Sequence, residues 1–432
     1  MENEKELTTE EWKEEKKKKK AQMAAMQALP YEVKVKRAEQ RANEFIKELE
    51  KRGMNAHVSV GGLDSITLLL FLRRIGIDVP AISVSALEDK SIQRVHKALG
   101  IIKVTPGKSK VEILQEYGFP VISKKIAGRI DTLQHPTEKN KTVRHAIITG
   151  ECGEQGHYAK NSRMKMPQKW LKLFAGYENE NEGVDYQIAP FQASNKCCLY
   201  MKEQPCDQWA KEHNSKPFLG LMASEGGQRE EALTDHGCNY FGKTVIRSAP
   251  FTPFLRQDVL RLALEMDEWW KKGGREETYN RGCAEEWYPE KYSLEDMPDS
   301  IIPEIYGTIE RKEDGTLYTT KAQRTGCVMC GFGVHLEQRP NRFDRLRQEN
   351  PKEWEFWMYR CCTDSATGEE YGWGRVLDYI GVGWEDEWPL EPEPEPRQMN
   401  FDDFPEFLPE QHKNNDKKTD VISVVRNLFR RE

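Results

Sequence analysis

His57-Val58-Ser59-Val60 runs directly into Gly61-Gly62-Leu63-Asp64-Ser65 and then into Ile66-Thr67-Leu68-Leu69-Leu70-Phe71-Leu72-Arg73-Arg74. The first four residues read as a short apolar strand, the glycine pair as a turn, and the stretch from Ser65 as a buried helix. Two glycines let a backbone approach an anion closely and take positive φ. The helix start beyond them offers unpaired N–H groups and the positive end of the helix dipole. Ser65 can cap that helix and offer its hydroxyl to a phosphate oxygen. Such a turn suits nucleotide phosphates at the C-terminal edge of a parallel sheet. It is not a Walker A loop, because no Gly-Lys-Ser/Thr follows a four-residue gap. The plainer alternative is an ordinary strand-to-helix turn in which Asp64 or Ser65 merely caps.

Outward from this segment, strands and helices alternate. Residues 80–85 read as a second strand, 90–99 as a helix, 101–104 as a third strand and 110–117 as a further helix. Residues 216–222 and 244–248 read as later strands, and a helix opens at Arg256. This alternation predicts an α/β fold, a mostly parallel sheet with helices on both faces. Residues 1–53, rich in Glu, Lys, Ala, Gln and Met, read as a helical N-terminal extension. Its Lys16–Lys20 run reads as a solvated helix face, with phosphate binding as the minor alternative. The nucleotide-binding domain is expected over 54–267 and an irregular C-terminal module over 268–385. An acidic, Pro-rich linker and a short terminal helix are expected over 386–432.

The 432 residues carry a net charge of -6 and are 31% charged, with a mean hydropathy of -0.78 and a pI near 6.0. That balance argues against a general nucleic-acid coat, though not against a local basic patch. No apolar run is long enough to span a membrane. No apolar segment follows the N-terminal lysines, so no secretory signal is expected and the compartment is read as the cytoplasm. In a reducing compartment, ten cysteines point to metal or redox chemistry rather than to disulfides.

The segment 59–65 resembles the PP-loop, Ser-Gly-Gly-x-Asp-Ser, of the ATP pyrophosphatase and phosphoadenylylsulfate (PAPS) reductase superfamily. Val60 stands where the family has its first serine, and Ser59 lies one residue earlier. Residues 83–89, 117–125, 223–229 (Ala-Ser-Glu-Gly-Gly-Gln-Arg) and 249–258 are similar, in order, to further family segments. The likeness covers roughly 54–265, with a weaker extension to about 380. It implies the PP-loop (adenine nucleotide alpha hydrolase-like) fold and an adenine nucleotide held by Ser59 to Ser65 and Ser85. Arg229 and Arg247 are natural anion partners, as are Lys124 and Lys125. Asp64, Lys124 and Arg229 are the candidate catalytic groups, with Asp64 an indirect partner of Mg²⁺ if ATP is the substrate.

The cysteines add a second candidate site. Cys197-Cys198 and Cys327-Val328-Met329-Cys330 supply four soft thiolates that suit a [4Fe–4S] cluster or zinc. Adjacent cysteines do not easily share one tetrahedral zinc but can ligate different irons, which favours the cluster. The arrangement is similar to that of adenylylsulfate reductases, with a longer separation here. Two unrelated sites are the alternative, and Cys361-Cys362 is then the reserve pair.

Three functions remain open. In the first, a thiolate attacks the sulfur of PAPS or adenylylsulfate, and a thiol reductant such as thioredoxin completes the reduction. The family's C-terminal Glu-Cys-Gly-Leu-His has no counterpart after Cys362, so Cys152 in Glu151-Cys152-Gly153 is the candidate nucleophile. In the second, ATP adenylylates a nucleic acid that then receives sulfur, as in tRNA thiolation or DNA phosphorothioation enzymes. In the third, the chain is an inactive nucleotide sensor or scaffold, alone or as an oligomer. The aromatics Trp354, Phe356, Trp357, Tyr359, Trp373 and Trp384 read first as core and second as a stacking platform for single-stranded nucleic acid.

Overall fold

The computed structural model describes residues 9–151, 164–177, 186–280 and 294–386. Six strands form one sheet: β1 Asn55–Ser59, β2 Ala81–Ser83, β3 Ile102–Lys103, β4 Ser215–Leu219, β5 Asn239–Phe241 and β6 Ile246–Ser248. Their order is β3-β2-β1-β4-β6-β5. All neighbours are parallel except β5 and β6. Parallel neighbours require crossover connections, and the helices expected from the alternating pattern supply them. β1 lies at the centre, pairing Val58 with Ala81 on one side and with Phe218 on the other.

Both faces of β1 are covered. Ala56 and Val58 join the main core, while His57, pointing the opposite way, lies edge-on to Trp209 with ring centroids 5.3 Å apart. The His57 ring bonds Ser215 Oγ at 2.7 Å, and burial lowers its pKa to about 4. A charged imidazole is thus excluded from the sheet interior at neutral pH.

The N-terminal stretch forms two helices, Thr9–Gln27 and Tyr31–Lys51. The second belongs to the core: Ala38, Ala42, Phe45 and Leu49 are buried, and Phe45 packs edge-on to Phe218 at 4.9 Å. The lysine run faces acids, with Lys16 3.7 Å from Glu231 and Lys20 3.8 Å from Glu230. Exposed pairs of this kind contribute little stability.

Among the described residues, two large hydrophobic cores form, each built from discontinuous segments. The first joins the sheet, the helices Leu63–Arg74 and Arg256–Trp269, and the later residues Ile301, Tyr306 and Leu317. The second joins Phe119, Ile130, Phe174 and Phe191 to Phe343, Trp373 and Leu377. A short parallel pairing of Val121–Ile122 with Gly331–Phe332 ties this second core together. Both cores therefore draw on residues from either side of position 267.

Beyond residue 340, where the sequence texture is irregular, the described residues contain three further helices: Arg342–Glu349, Pro351–Tyr359 and Trp373–Ile380. Their start signals are local. Asn341 and Asp344 form a reciprocal capping box, and Asn350 caps a helix that begins with Pro351. Cys152, Cys283 and the acidic, Pro-rich stretch with its terminal helix lie outside the described residues.

Candidate functional site

The glycine loop joins the C-terminal end of β1 to the helix Leu63–Arg74, as the sequence pattern requires. Its conformation differs from the expectation in one respect. Neither glycine takes positive φ, and Gly62 sits at φ -82°, ψ -162°. Gly62 is needed for space instead: a Cβ there would stand 2.4 Å from Tyr306 Oη and 3.0 Å from Thr325 Oγ1. Gly220, just past β4, has a similar role, because a Cβ there would stand 2.9 Å from Ser65 Cα.

The loop's polar groups are partly engaged within the protein. Gly61 N–H donates to Ser65 Oγ at 2.8 Å, and the Ser65 hydroxyl donates to Gly62 O at 2.9 Å. Leu63 N–H donates to Tyr306 Oη at 3.1 Å. The amides of Gly62, Asp64 and Ser65 have no hydrogen-bond partner among the described residues. They are the unpaired N–H groups a helix start presents to an anion. Asp64 is ion-paired with Arg256, whose second guanidinium nitrogen donates to Gln323 O at 3.0 Å. Arg256 was not singled out by the sequence, since the two residues meet only through the fold.

Ser85 reaches the loop through a histidine. Its hydroxyl lies 2.9 Å from His96 Nδ1, and His96 Nε2 lies 2.7 Å from Gly61 O. A ring nitrogen facing a carbonyl must carry a proton, so Nε2 is the donor and Nδ1 can accept from Ser85. Burial lowers the His96 pKa, which favours this neutral form. Ser59 ends β1 beside Ile82 and Leu219, and Val60 is buried. Arg229 pairs with Glu225, to which Arg324 also comes within 3.8 Å. Arg247 contacts Ala232 O at 3.4 Å and lies beside Cys238 and Tyr240, none of them a loop residue.

The four candidate ligands meet. Cys197, Cys198, Cys327 and Cys330 line one cavity with Leu87, Lys110, Pro120, Met201 and Lys202. The cavity encloses about 10 Å³, the space of one water. Cys197 and Cys198 lie on a short helix, Lys196–Cys198, that widens into a π-turn over Leu199–Glu203 before the helix Gln204–Glu212. Pro205 at the start of the last segment lacks the N–H that an unbroken α-helix would use there. In the Cys327–Cys330 turn, Met329 sits at φ 56°, a conformation other residues than glycine adopt only when held. Lys110, itself buried, holds it: its ammonium donates to Met329 O at 2.8 Å and to Val328 O. Arg342 Nη1 donates to Cys330 O at 3.1 Å.

Cations therefore surround the thiols. Lys202 is 2.6 Å from Glu88 Oε1 and lines the cavity with Cys327. The surrounding atoms pull the Lys202 ammonium down, but Glu88 and Cys327 together hold it above its ordinary value. Lys124, paired with Glu203 at 2.8 Å, acts electrostatically on both Cys198 and Arg229. Burial pushes Cys197 up to about 12 and Cys198 up to about 11, and it raises Cys327 as well. Thiols in this state are protonated and become ligands only as a metal displaces their protons.

Among the described residues, no group of three or more His, Cys, Asp or Glu side chains is arranged to hold a metal ion. A mononuclear zinc site needs four sulfurs within about 2.3 Å of one point. Among the other described cysteines, Cys206 belongs to the same small apolar cluster as Cys197 and Cys327. Cys361 and Cys362 are buried in the second core, and burial raises the Cys206 and Cys238 thiols. Trp354, Trp373 and Trp384 are buried in the same second core, whereas Phe356 and Tyr359 are exposed.

Replacing Gly62 by Ala is expected to cost about 1–3 kcal/mol by overpacking. Much of that cost should vanish in a Tyr306→Phe background, since the ring carbon Cζ would stand 3.7 Å from the new methyl. Urea denaturation of both single variants and the double variant checks this. Equal cost in the two backgrounds would contradict the contact.

No protein-family model matches the chain, and neither the curated proteins nor the solved structures give a significant match. In the described residues, no helix is long and apolar enough to cross a membrane.

Proposed function

We propose that the chain is an adenine-nucleotide-binding protein of the PP-loop type that carries out sulfur-related chemistry beside a thiol-ligated iron–sulfur centre. The observation that carries this reading is the convergence of Cys197, Cys198, Cys327 and Cys330 on one cation-lined cavity, with Lys202 and Glu88 leading from it to the glycine loop. The donor set fits a [4Fe–4S] centre: four thiols, no competing carboxylate in the wall, and nearby cations to offset the negative charge of four thiolates. Separate irons would allow the sulfurs to stay further apart than one zinc does. When bound, such a centre would supply a site for sulfur or for an electron.

The chain's own residues would do the rest. The free amides of Gly62, Asp64 and Ser65 would take phosphate oxygens, and Lys124 and Arg229 would stabilise charge on the transferred group. Arg256 would hold Asp64 until a phosphate or Mg²⁺ competes for one of them. We take the ATP reading first; Cys152, the candidate for direct thiolate attack on a sulfonucleotide, lies outside the described residues. In that reading an acceptor oxygen attacks the α-phosphate, the bond to the leaving pyrophosphate breaks, and the adenylylated acceptor is then open to sulfur.

Thermal unfolding with ATP and Mg²⁺, PAPS or adenylylsulfate tests the proposal. A ligand at 100 times its Kd stabilises by about 2.7 kcal/mol. ATP is expected to protect most, and pyrophosphate to appear when a nucleic acid acceptor is added. Sulfite release with thioredoxin would favour the reductase reading instead. Protection without turnover would favour a sensor, and no protection by any of the three would overturn nucleotide binding.

A further inference from the structure

Tyr117 and Tyr200 form an aromatic stack beside the adjacent cysteines. Their ring centroids are 4.6 Å apart and the rings are inclined by 20°. Tyr117 ends the helix Lys110–Tyr117, and Tyr200 lies in the π-turn Leu199–Glu203, two residues after Cys198. Gly118 lets the chain leave that helix: it takes φ 83°, and a Cβ there would stand 2.2 Å from Gln192 O. Both rings pack at the edge of the small apolar cluster that contains Cys197, Met201 and Cys327, and both are only half-buried. Leu199 beside them is 43% exposed. Two ammonium groups border the stack. Lys196 Nζ lies 5.3 Å from the centre of the Tyr117 ring, and Lys108 Nζ lies 5.3 Å from the same ring and 6.0 Å from that of Tyr200.

Half-exposed aromatic rings with cations at their border match the two parts of a single-stranded nucleic acid. A base brings a π-face to the rings, and a phosphate brings its charge to the ammonium groups. A duplex keeps its base faces inside its own stack. The two lysines already have carboxylate partners, Glu116 for Lys108 and Asp131, at 3.2 Å, for Lys196. Such pairs, with the lysine side chains 42% and 36% exposed, contribute little, so a phosphate can replace the carboxylate at small cost. Trp354, Trp373 and Trp384 cannot form the stacking platform, because they are buried in the second core. Lys196 and Tyr200 flank Cys197-Cys198 in sequence, so a strand held here lies beside the segment that lines the cysteine cavity. We propose that the Tyr117–Tyr200 stack, with Lys108 and Lys196, is the docking surface for a single-stranded nucleic acid. That strand is the acceptor of the ATP reading above, on which the inference rests.

Fluorescence anisotropy of the full chain with labelled DNA and RNA single strands of about 12 nucleotides, within the span such surfaces cover, tests it. The parent protein is expected to bind at least one of the two strands, and more tightly than the corresponding duplex. Tyr117→Ala and Tyr200→Ala should each weaken binding about fivefold to a hundredfold, the range for one lost base–aromatic stack. Tyr117→Phe, which keeps the ring face, should bind like the parent. Lys108→Ala and Lys196→Ala should each reduce the slope of log affinity against log salt by about 0.7, the value for one phosphate contact on a single strand. Thermal unfolding shows which variants are folded, and the lysine variants carry the test where a tyrosine variant is not. Strand binding that folded tyrosine and lysine variants leave unchanged, or that a duplex equals, would overturn this surface while leaving a nucleic-acid acceptor in place. A parent protein that binds neither strand would overturn the surface and remove the nucleic-acid acceptor with it.

Discussion

Lys202→Met is expected to destabilise the protein by about 3 kcal/mol, the low end for breaking a buried ion pair. The cost sits on Glu88, which is 4% exposed and loses the ammonium 2.6 Å away. Lys202 keeps about a third of its side-chain surface exposed, so solvent softens its own contribution. The substitution also removes a cation from beside Cys327. Guanidinium denaturation measures the loss, and Lys202→Met combined with Glu88→Gln should recover part of it by removing the stranded charge. A single variant within about 0.5 kcal/mol of the parent would show that Glu88 is hydrated and that the line from loop to cysteines does not exist.

Trp373→Ala is expected to cost about 3–5 kcal/mol. Trp373 is fully buried and packs edge-on to Phe119 at 4.9 Å and against Phe343 at 5.3 Å. Its ring also fills the space above Gly331, where a Cβ would meet it at 2.5 Å. Gly331 follows Cys330 directly, so the cavity left by alanine would loosen the strand that fixes the cysteine turn. The indole Nε1 has no hydrogen-bond partner among the described residues, so Trp373→Phe loses packing alone and should cost clearly less. Urea midpoints of the two variants decide this. A cost below about 1 kcal/mol for Trp373→Ala would mean that the second core does not support the site.

The strand, loop and helix around Gly61 and Gly62 were legible because their signals are local: an apolar run, a glycine pair and a buried helical run. The helix Lys110–Tyr117 agrees with its expected bounds for the same reason, since Ser109 and Glu112 form a capping box. What the sequence hid are partners brought together by the fold. Tyr306, 243 residues from Leu63, explains why Gly62 has no side chain. Arg256, 192 residues from Asp64, occupies the carboxylate expected to serve Mg²⁺. The four cysteines line one cavity, though no three of them are arranged to hold a metal ion, and Lys110 and Lys202 gave no local sign of their place beside them. The helices after residue 340 were missed because aromatic and glycine texture outweighed the caps at Asn341 and Asn350.

The most direct test of the account is iron and acid-labile sulfide per chain in protein purified without oxygen. About four of each, lost when Cys198 and Cys330 are both replaced by serine, is the predicted result. Stoichiometric zinc with neither iron nor sulfide would contradict it.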